Sequence, residues 1–152
     1  MQKHNVTYGD FTIEREFKAP VTRVYQMFAD KQAKEQWFRG PTDSGENQHT
    51  MDFVVGGSEF NSGTFHDGVT HVFRGRYYDI VPNERIIYSY EMYLDDRRIS
   101  VSLAVIEFVE AGDETRLKLR ESGVFLDDFD KPEHREHGTK ELLNALANAL
   151  GA

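Results

Sequence analysis

An apolar stripe near the C-terminus constrains this chain most. Leu142, Leu143, Leu146 and Leu150 recur at helical spacing, with Ala145, Ala147 and Ala149 around them. The spacing predicts one long helix with a single apolar face. That face must be buried, and the preceding sequence offers only one large partner, a sheet. Phe11–Phe17 alternates, with Phe11, Ile13 and Phe17 on one side and Thr12, Glu14 and Glu16 on the other, the pattern of a half-buried strand. Met51–Val55 and Ser58–Phe65 flank Gly56-Gly57, a tight hairpin signal. Val69–Val81, Ile86–Leu94, Ile99–Val109 and Thr115–Glu121 follow, separated by turns at 66–68, 82–84, 95–97 and 111–113.

Two short helices interrupt this series. Pro20 suits a first helical turn, and Val21, Val24, Tyr25 and Phe28 recur at helical spacing, so 20–29 reads as helix. Asp30 can cap a second helix carrying Ala33, Trp37 and Phe38, which Gly40-Pro41 ends. Residues 42–49 are polar and read as loop. Asp127, Asp128, Asp130, Glu133 and Glu136 crowd the start of the final helical segment, where acids favour the positive end of the helix dipole. The expected architecture is α+β. A curved antiparallel sheet of about seven strands wraps a long C-terminal helix, with two short helices after the first strand and residues 1–152 forming one domain. A twisted sheet of this size curls, and a curled sheet gripping a helix leaves a concave space, the default site for a ligand.

Charge and composition exclude several functions. The 152 residues carry 18 basic and 26 acidic side chains, a net charge of −8. Such a surface repels nucleic-acid backbones and anionic membranes, so neither is expected as a partner. The absence of cysteine removes disulfides, thiolate metal sites and thiol nucleophiles. No run of about 20 apolar residues or signal-peptide pattern occurs, and the expected location is the cytoplasm.

The element order and several motifs resemble a known family. These are Phe17-Lys-Ala-Pro20 leading into Val24-Tyr25, then Gln36-Trp37-Phe38 and Gly56-Gly57. The longest is Phe73-Arg-Gly-Arg-Tyr-Tyr-Asp-Ile-Val-Pro-Asn-Glu-Arg-Ile86-Ile87-Tyr88, followed by Thr115-Arg116-Leu117 and the final leucines. The chain looks like a member of the activator of heat-shock protein 90 ATPase homologue family, within the START-like, or birch-pollen-allergen-like, helix-grip superfamily (SRPBCC). The resemblance covers about residues 10–150 and implies the helix-grip fold. It does not imply one activity, because the superfamily hosts binders, transporters, cyclases and co-chaperones. Many relatives have Gly-Trp near the start of the last helix, whereas here Gly138 precedes Thr139. An aromatic wall is therefore smaller, or supplied from elsewhere.

The candidate ligand-binding residues are the rings Trp37, Phe38, Phe53, Phe60, Phe73, Tyr77 and Tyr90, with Tyr88 beside them. Leu142 and Leu146 of the helix face complete the apolar set. For any single ring, core packing is the simpler account. His71, Glu91 and Glu121 are read as inward polar groups that orient a ligand, since a carboxylic acid in an apolar pocket has a raised pKa and can serve as acid or base. The simpler account is a satisfied buried hydrogen bond. Alternation leaves the facing of Tyr77-Tyr78 and of 86–92 open. His134 and His137 could share a helix face, but the spacing is not that of zinc hydrolases, and His66 and His71 complete no ligand set. Ser58, Ser62, Ser100 and Ser102 lie in no nucleophile elbow, and Gly56-Gly57 is not a phosphate loop. Arg74/Arg76 and Arg116/Lys118/Arg120 read as sheet-surface ion pairs or, alternatively, as a docking stripe.

No catalytic residue, metal or cofactor is assigned. The expected function is binding of a small hydrophobic or aromatic molecule, with a homodimer left open. One alternative is a co-chaperone stimulating a heat-shock protein 90 ATPase. It is disfavoured because relatives with that role carry a separate N-terminal domain, for which this chain has no room. The other is a polyketide-type cyclase or dehydratase.

Overall fold

The computed structural model describes residues 4–38, 47–65 and 67–151. The elements run β1 (Val6–Phe17), α1 (Val21–Ala29), α2 (Lys31–Glu35), β2 (Asn47–Met51), β3 (Ser58–Thr64), β4 (Thr70–Val81), β5 (Arg85–Leu94), β6 (Arg97–Ala111), β7 (Glu114–Leu126) and α3 (Pro132–Ala149). Seven strands form one antiparallel sheet in the order β1-β7-β6-β5-β4-β3-β2. From β2 to β7 every neighbour in sequence is a neighbour in space. The first strand closes the opposite edge by pairing along β7, from Val6↔Leu126 to Phe17↔Thr115. The two short helices and α3 all pack on one face.

Local chemistry accounts for the element ends. The Asp30 carboxylate accepts from the Ala33 amide at 3.0 Å, capping α2. Asn83 (φ 65) and Asp95 (φ 55) turn the hairpins that flank β5, and their short polar side chains tolerate the left-handed region. On the outer face β1 meets β7 with Glu14 opposite Lys118 and Glu16 opposite Arg116. The second pair is an exposed ion pair at 3.3 Å. The outer stripe of cations is thus partly matched by acids on the neighbouring strand.

Two expectations need correction, and one lies partly outside the described residues. The strand before Gly56-Gly57 lies at 47–51, not 51–55, and so includes residues read as loop. Residues 52–57 form the turn, stitched by Asp52 N–H to Ser58 O at 2.9 Å and Gly57 N–H to Val54 O at 2.8 Å. The Gly40-Pro41 helix stop and residues 42–46 of the loop lie outside the described residues, as does His66 of the turn at 66–68. Finally, Asp127 and Asp128 do not serve a helix dipole. Both adopt positive φ in the loop before α3. They clasp Asn5, whose amide donates to Asp127 at 2.9 Å and whose side chain donates to Asp128 at 2.8 Å. The one acid in the first turn of α3 is Glu133.

The core lies between the concave sheet face and the helices. Val24, Tyr25, Met27 and Phe28 of α1 pack with Phe108, Ile106 and Leu117, while Leu143, Leu146 and Leu150 of α3 close on the same cluster. The Trp37 indole N–H donates to Met27 O at 2.8 Å, tying the chain after α2 to α1. Burial of these large side chains supplies the main driving force, at about 25 cal/mol per Å2 of apolar surface.

Candidate functional site

The sheet and α3 do not meet along their whole length. Between them lies a cavity of about 580 Å3, and its origin can be read along β6. The concave-facing residues of that strand are Ser100, Ser102, Ala104, Ile106 and Phe108, all buried. Large residues at one end fill the space under α1. Small residues at the other leave it open. Rings make much of the remaining wall. Phe73 stacks on Tyr90 with centroids 4.9 Å apart, Phe38 meets Phe73 edge-on at 5.1 Å, and Trp37 meets Phe38 at 5.6 Å. Leu142 and Leu143 of α3 close the opposite side, where Gly138 and Thr139 leave room.

One end of the cavity is polar. Tyr90 donates its hydroxyl to Glu121 Oε2 at 2.6 Å. Arg135 of α3 donates through Nη1 to the Tyr90 oxygen at 3.1 Å and Ser102 Oγ at 3.4 Å. Its Nη2 donates to Ser100 Oγ at 2.8 Å and Asp130 Oδ2 at 3.1 Å. The guanidinium also lies over the Tyr90 and Phe125 rings, at 5.5 and 5.1 Å. Burial raises the Glu121 pKa against the opposing pull of Tyr90 and Arg135. Burial, reinforced by the Glu121 charge, raises that of Tyr90. His71 stacks on Phe65 at 4.0 Å, and burial lowers its pKa, favouring the neutral ring. This end therefore offers an ordered relay from Arg135 through Tyr90 to a carboxyl group that can hold or release a proton.

A second polar cluster lies beside the cavity, under α2. Glu59 accepts from Lys34 Nζ at 2.7 Å, from the Tyr77 hydroxyl and from His49 Nε2 at 2.8 Å. The other nitrogen of His49 lies 2.8 Å from Glu35 Oε2. Burial opposes charge on Glu59, but Lys34, His49 and Tyr77 together outweigh it and hold its pKa at about 2. This cluster fixes the segment that delivers Trp37 and Phe38 to the cavity.

Of the residues singled out in the sequence, Trp37, Phe38, His71, Phe73, Tyr90, Glu121 and Leu142 stand on the cavity wall. Phe53 and Tyr77 face the same side but pack on each other at 5.0 Å, and the Tyr77 hydroxyl is committed to Glu59. Leu146 is fully buried beneath α3, and its neighbour Leu143 lines the space instead. Phe60 and Glu91 lie on the outer face. Phe60 pairs with Arg74, whose guanidinium sits 5.0 Å from the ring, and Glu91 accepts from Arg98 at 3.0 Å. One register step separates each from the inward positions Glu59 and Tyr90. Arg135 was missed. Its signal was an arginine among the acids of the helix start, together with Ser100 and Ser102 alternating on an otherwise apolar strand face. His134 lies 3.7 Å from Asp130, and among the described residues no group of three or more His, Asp or Glu could hold a metal ion.

The model of the family described as Activator of Hsp90 ATPase homolog 1-like protein matches residues 18–151. The chain belongs to this family. An uncharacterised protein from Rhizobium leguminosarum is 36% identical, with 99% of each chain covered and a TM-score of 0.93. Protein Mll3558 from Rhizobium loti is also 36% identical, with 95% of this chain and 99% of that one covered and a TM-score of 0.88. The more distant DynU16, from the dynemicin biosynthetic locus, is 16% identical. It shares the fold at a TM-score of 0.68, over 94% of this chain and 47% of its own. No curated protein matches the sequence. Family and fold agree with the helix-grip expectation, and no helix among the described residues is long and apolar enough to cross a membrane.

Proposed function

We propose that this member of the family binds a small hydrophobic or aromatic molecule between its sheet and α3. The observation that carries the reading is the cavity itself, about 580 Å3 walled by aromatic rings with one polar end. Ligand sites commonly fall between about 300 and 1,000 Å3 and combine apolar walls with a few placed polar groups. Protein interiors otherwise pack to near-crystal density. An apolar void of this size forfeits dispersion contacts that a ligand would restore. Native mass spectrometry of freshly purified protein tests the reading. A reproducible added mass, lost on gentle activation and absent after the cavity is filled by substitution, supports it. An apo mass, with no change in Trp37 fluorescence on adding apolar aromatic probes, counts against it.

A second reading is turnover of a polyketide-like substrate. The Tyr90–Glu121 pair inside the cavity favours it, and the dynemicin-locus relative shares the fold. Replacing Glu121 and His71 with no loss of an identified turnover would remove these residues from the chemistry. The family description suggests stimulation of a chaperone ATPase, for which an ATPase assay at saturating protein is decisive.

A further inference from the structure

The cavity floor carries two polar atoms that the protein leaves without partners among the described residues. Tyr88 pairs with Ala104 across β5 and β6, and Ala104 pairs with Glu121 across β6 and β7. All three side chains stand on the concave face, so Tyr88 and Glu121 flank a methyl group across two strand spacings, about 9.6 Å between backbones. Glu121 uses Oε2 for Tyr90, and its Oε1 makes no hydrogen bond among the described residues; nor does the Tyr88 hydroxyl. Among these residues no sealed side-chain nitrogen or oxygen lacks a partner. Both atoms therefore reach open space, and both residues line the cavity.

The rest of the wall does not satisfy them. Arg135 spends its two terminal nitrogens on Tyr90, Ser102, Ser100 and Asp130. His71 favours the neutral ring. Asp130 and Glu141 add acid at the rim. An incoming carboxylate would meet carboxyl groups and an occupied guanidinium. An ether or ketone could only accept: it can take one bond from the Tyr88 hydroxyl, and one from Glu121 only when Glu121 is protonated. A hydroxyl donates to the ionised form and accepts from the protonated one, and it can also pair with the Tyr88 oxygen.

We propose that the polar end of the ligand is a hydroxyl group bound between Glu121 Oε1 and the Tyr88 hydroxyl, and that Glu121 makes the site select alcohols or phenols over carboxylates. The inference rests on the binding reading above and adds the chemical class of the ligand to it.

The test is calorimetric titration of the full chain at neutral pH with naphthol, its methyl ether and naphthoate. The expected order is naphthol tightest, the ether about tenfold or more weaker, and naphthoate weakest, as loss of one hydrogen bond to a charged or buried partner predicts. Tyr88→Phe and Glu121→Leu should each shrink the naphthol-to-ether ratio severalfold. Glu121→Gln, which keeps an acceptor and the shape, should retain part of the ratio and covers the case in which the leucine variant fails to fold. Equal binding of naphthol and its ether to the wild type overturns the hydroxyl assignment and leaves the cavity reading standing. A ratio unchanged in both Tyr88→Phe and Glu121→Gln also overturns it. Failure of all three probes to bind overturns the cavity reading and this inference together.

Discussion

His49 Nε2 lies 2.8 Å from Glu59 Oε2, while the opposite ring nitrogen lies 2.8 Å from a second carboxylate, that of Glu35. Carboxylates accept and do not donate, so both ring nitrogens must donate. The geometry therefore requires the imidazolium form. Glu59 raises the His49 pKa above 6.5, against the opposing effect of burial.

This sets a pH window. A histidine whose folded pKa is raised contributes stability that is fully present below about 6.5 and is lost as pH rises through the folded value. Glu59 works in the opposite sense. With its pKa lowered from 4.5 to about 2, it contributes stability present above 4.5 and lost as pH falls toward 2. His71, with a lowered pKa, also loses stabilisation as pH falls below 6.5. The His49 effect is isolated by comparing urea unfolding of the wild type with that of His49→Gln. The stability gap should be larger at about pH 6 than at about pH 9. A gap that does not narrow at high pH would show that the ring is not an imidazolium in the folded protein.

Lys34 is 5% exposed and Glu59 is 3% exposed. Removing Lys34 takes from Glu59 one of its charged partners and leaves His49 and Tyr77 to hold the carboxylate, so Lys34→Met should cost about 1–3 kcal/mol. Adding Glu59→Leu to it should recover part of that loss. Urea unfolding of the two single variants and the double variant measures the coupling. Additive losses would contradict the pairing.

Leu146 is wholly buried where α3 seals the core. Leu146→Ala should destabilise by about 2–5 kcal/mol, through lost burial and the void left behind. Leu142→Ala, on the half-buried cavity side, should cost less. Thermal or urea melts of the pair distinguish a core anchor from a cavity wall.

Gly138 and Thr139 mark where α3 stands off from the sheet. A Cβ added at Gly138 meets nothing within 4 Å, so Gly138→Ala should stabilise the helix by about 0.5–1 kcal/mol. Thr139→Trp should place an indole in the cavity. It should weaken binding of naphthol methyl ether severalfold in calorimetry, with a native circular dichroism spectrum. Undiminished binding would place the ligand elsewhere.

The chain order of strands and helices was legible because each signal is local. The alternation in Phe11–Phe17 needs no knowledge of the partner strand, and neither does the helical spacing of Leu142, Leu143, Leu146 and Leu150. Asp30 could be read as a cap for the same reason, since its partner is the Ala33 amide three residues away. Part of the cavity wall followed, because Phe73 and Glu121 each alternate with a charged neighbour, Arg74 and Arg120.

The remainder depended on partners far away in sequence. Phe60 and Glu91 look inward by pattern, yet register with Arg74 and a contact with Arg98 turn them outward. His49 reads as a loop residue until two carboxylates, from α2 and β3, converge on it. Arg135 reads as a surface cation until α3 lays it across two serines and a tyrosine more than thirty residues away. Short-range periodicity acts through steric and backbone preferences written into neighbouring residues. The curvature of the sheet, the choice of face and the depth of the cavity arise only when seven strands close against one helix, because they come from packing between residues distant in sequence.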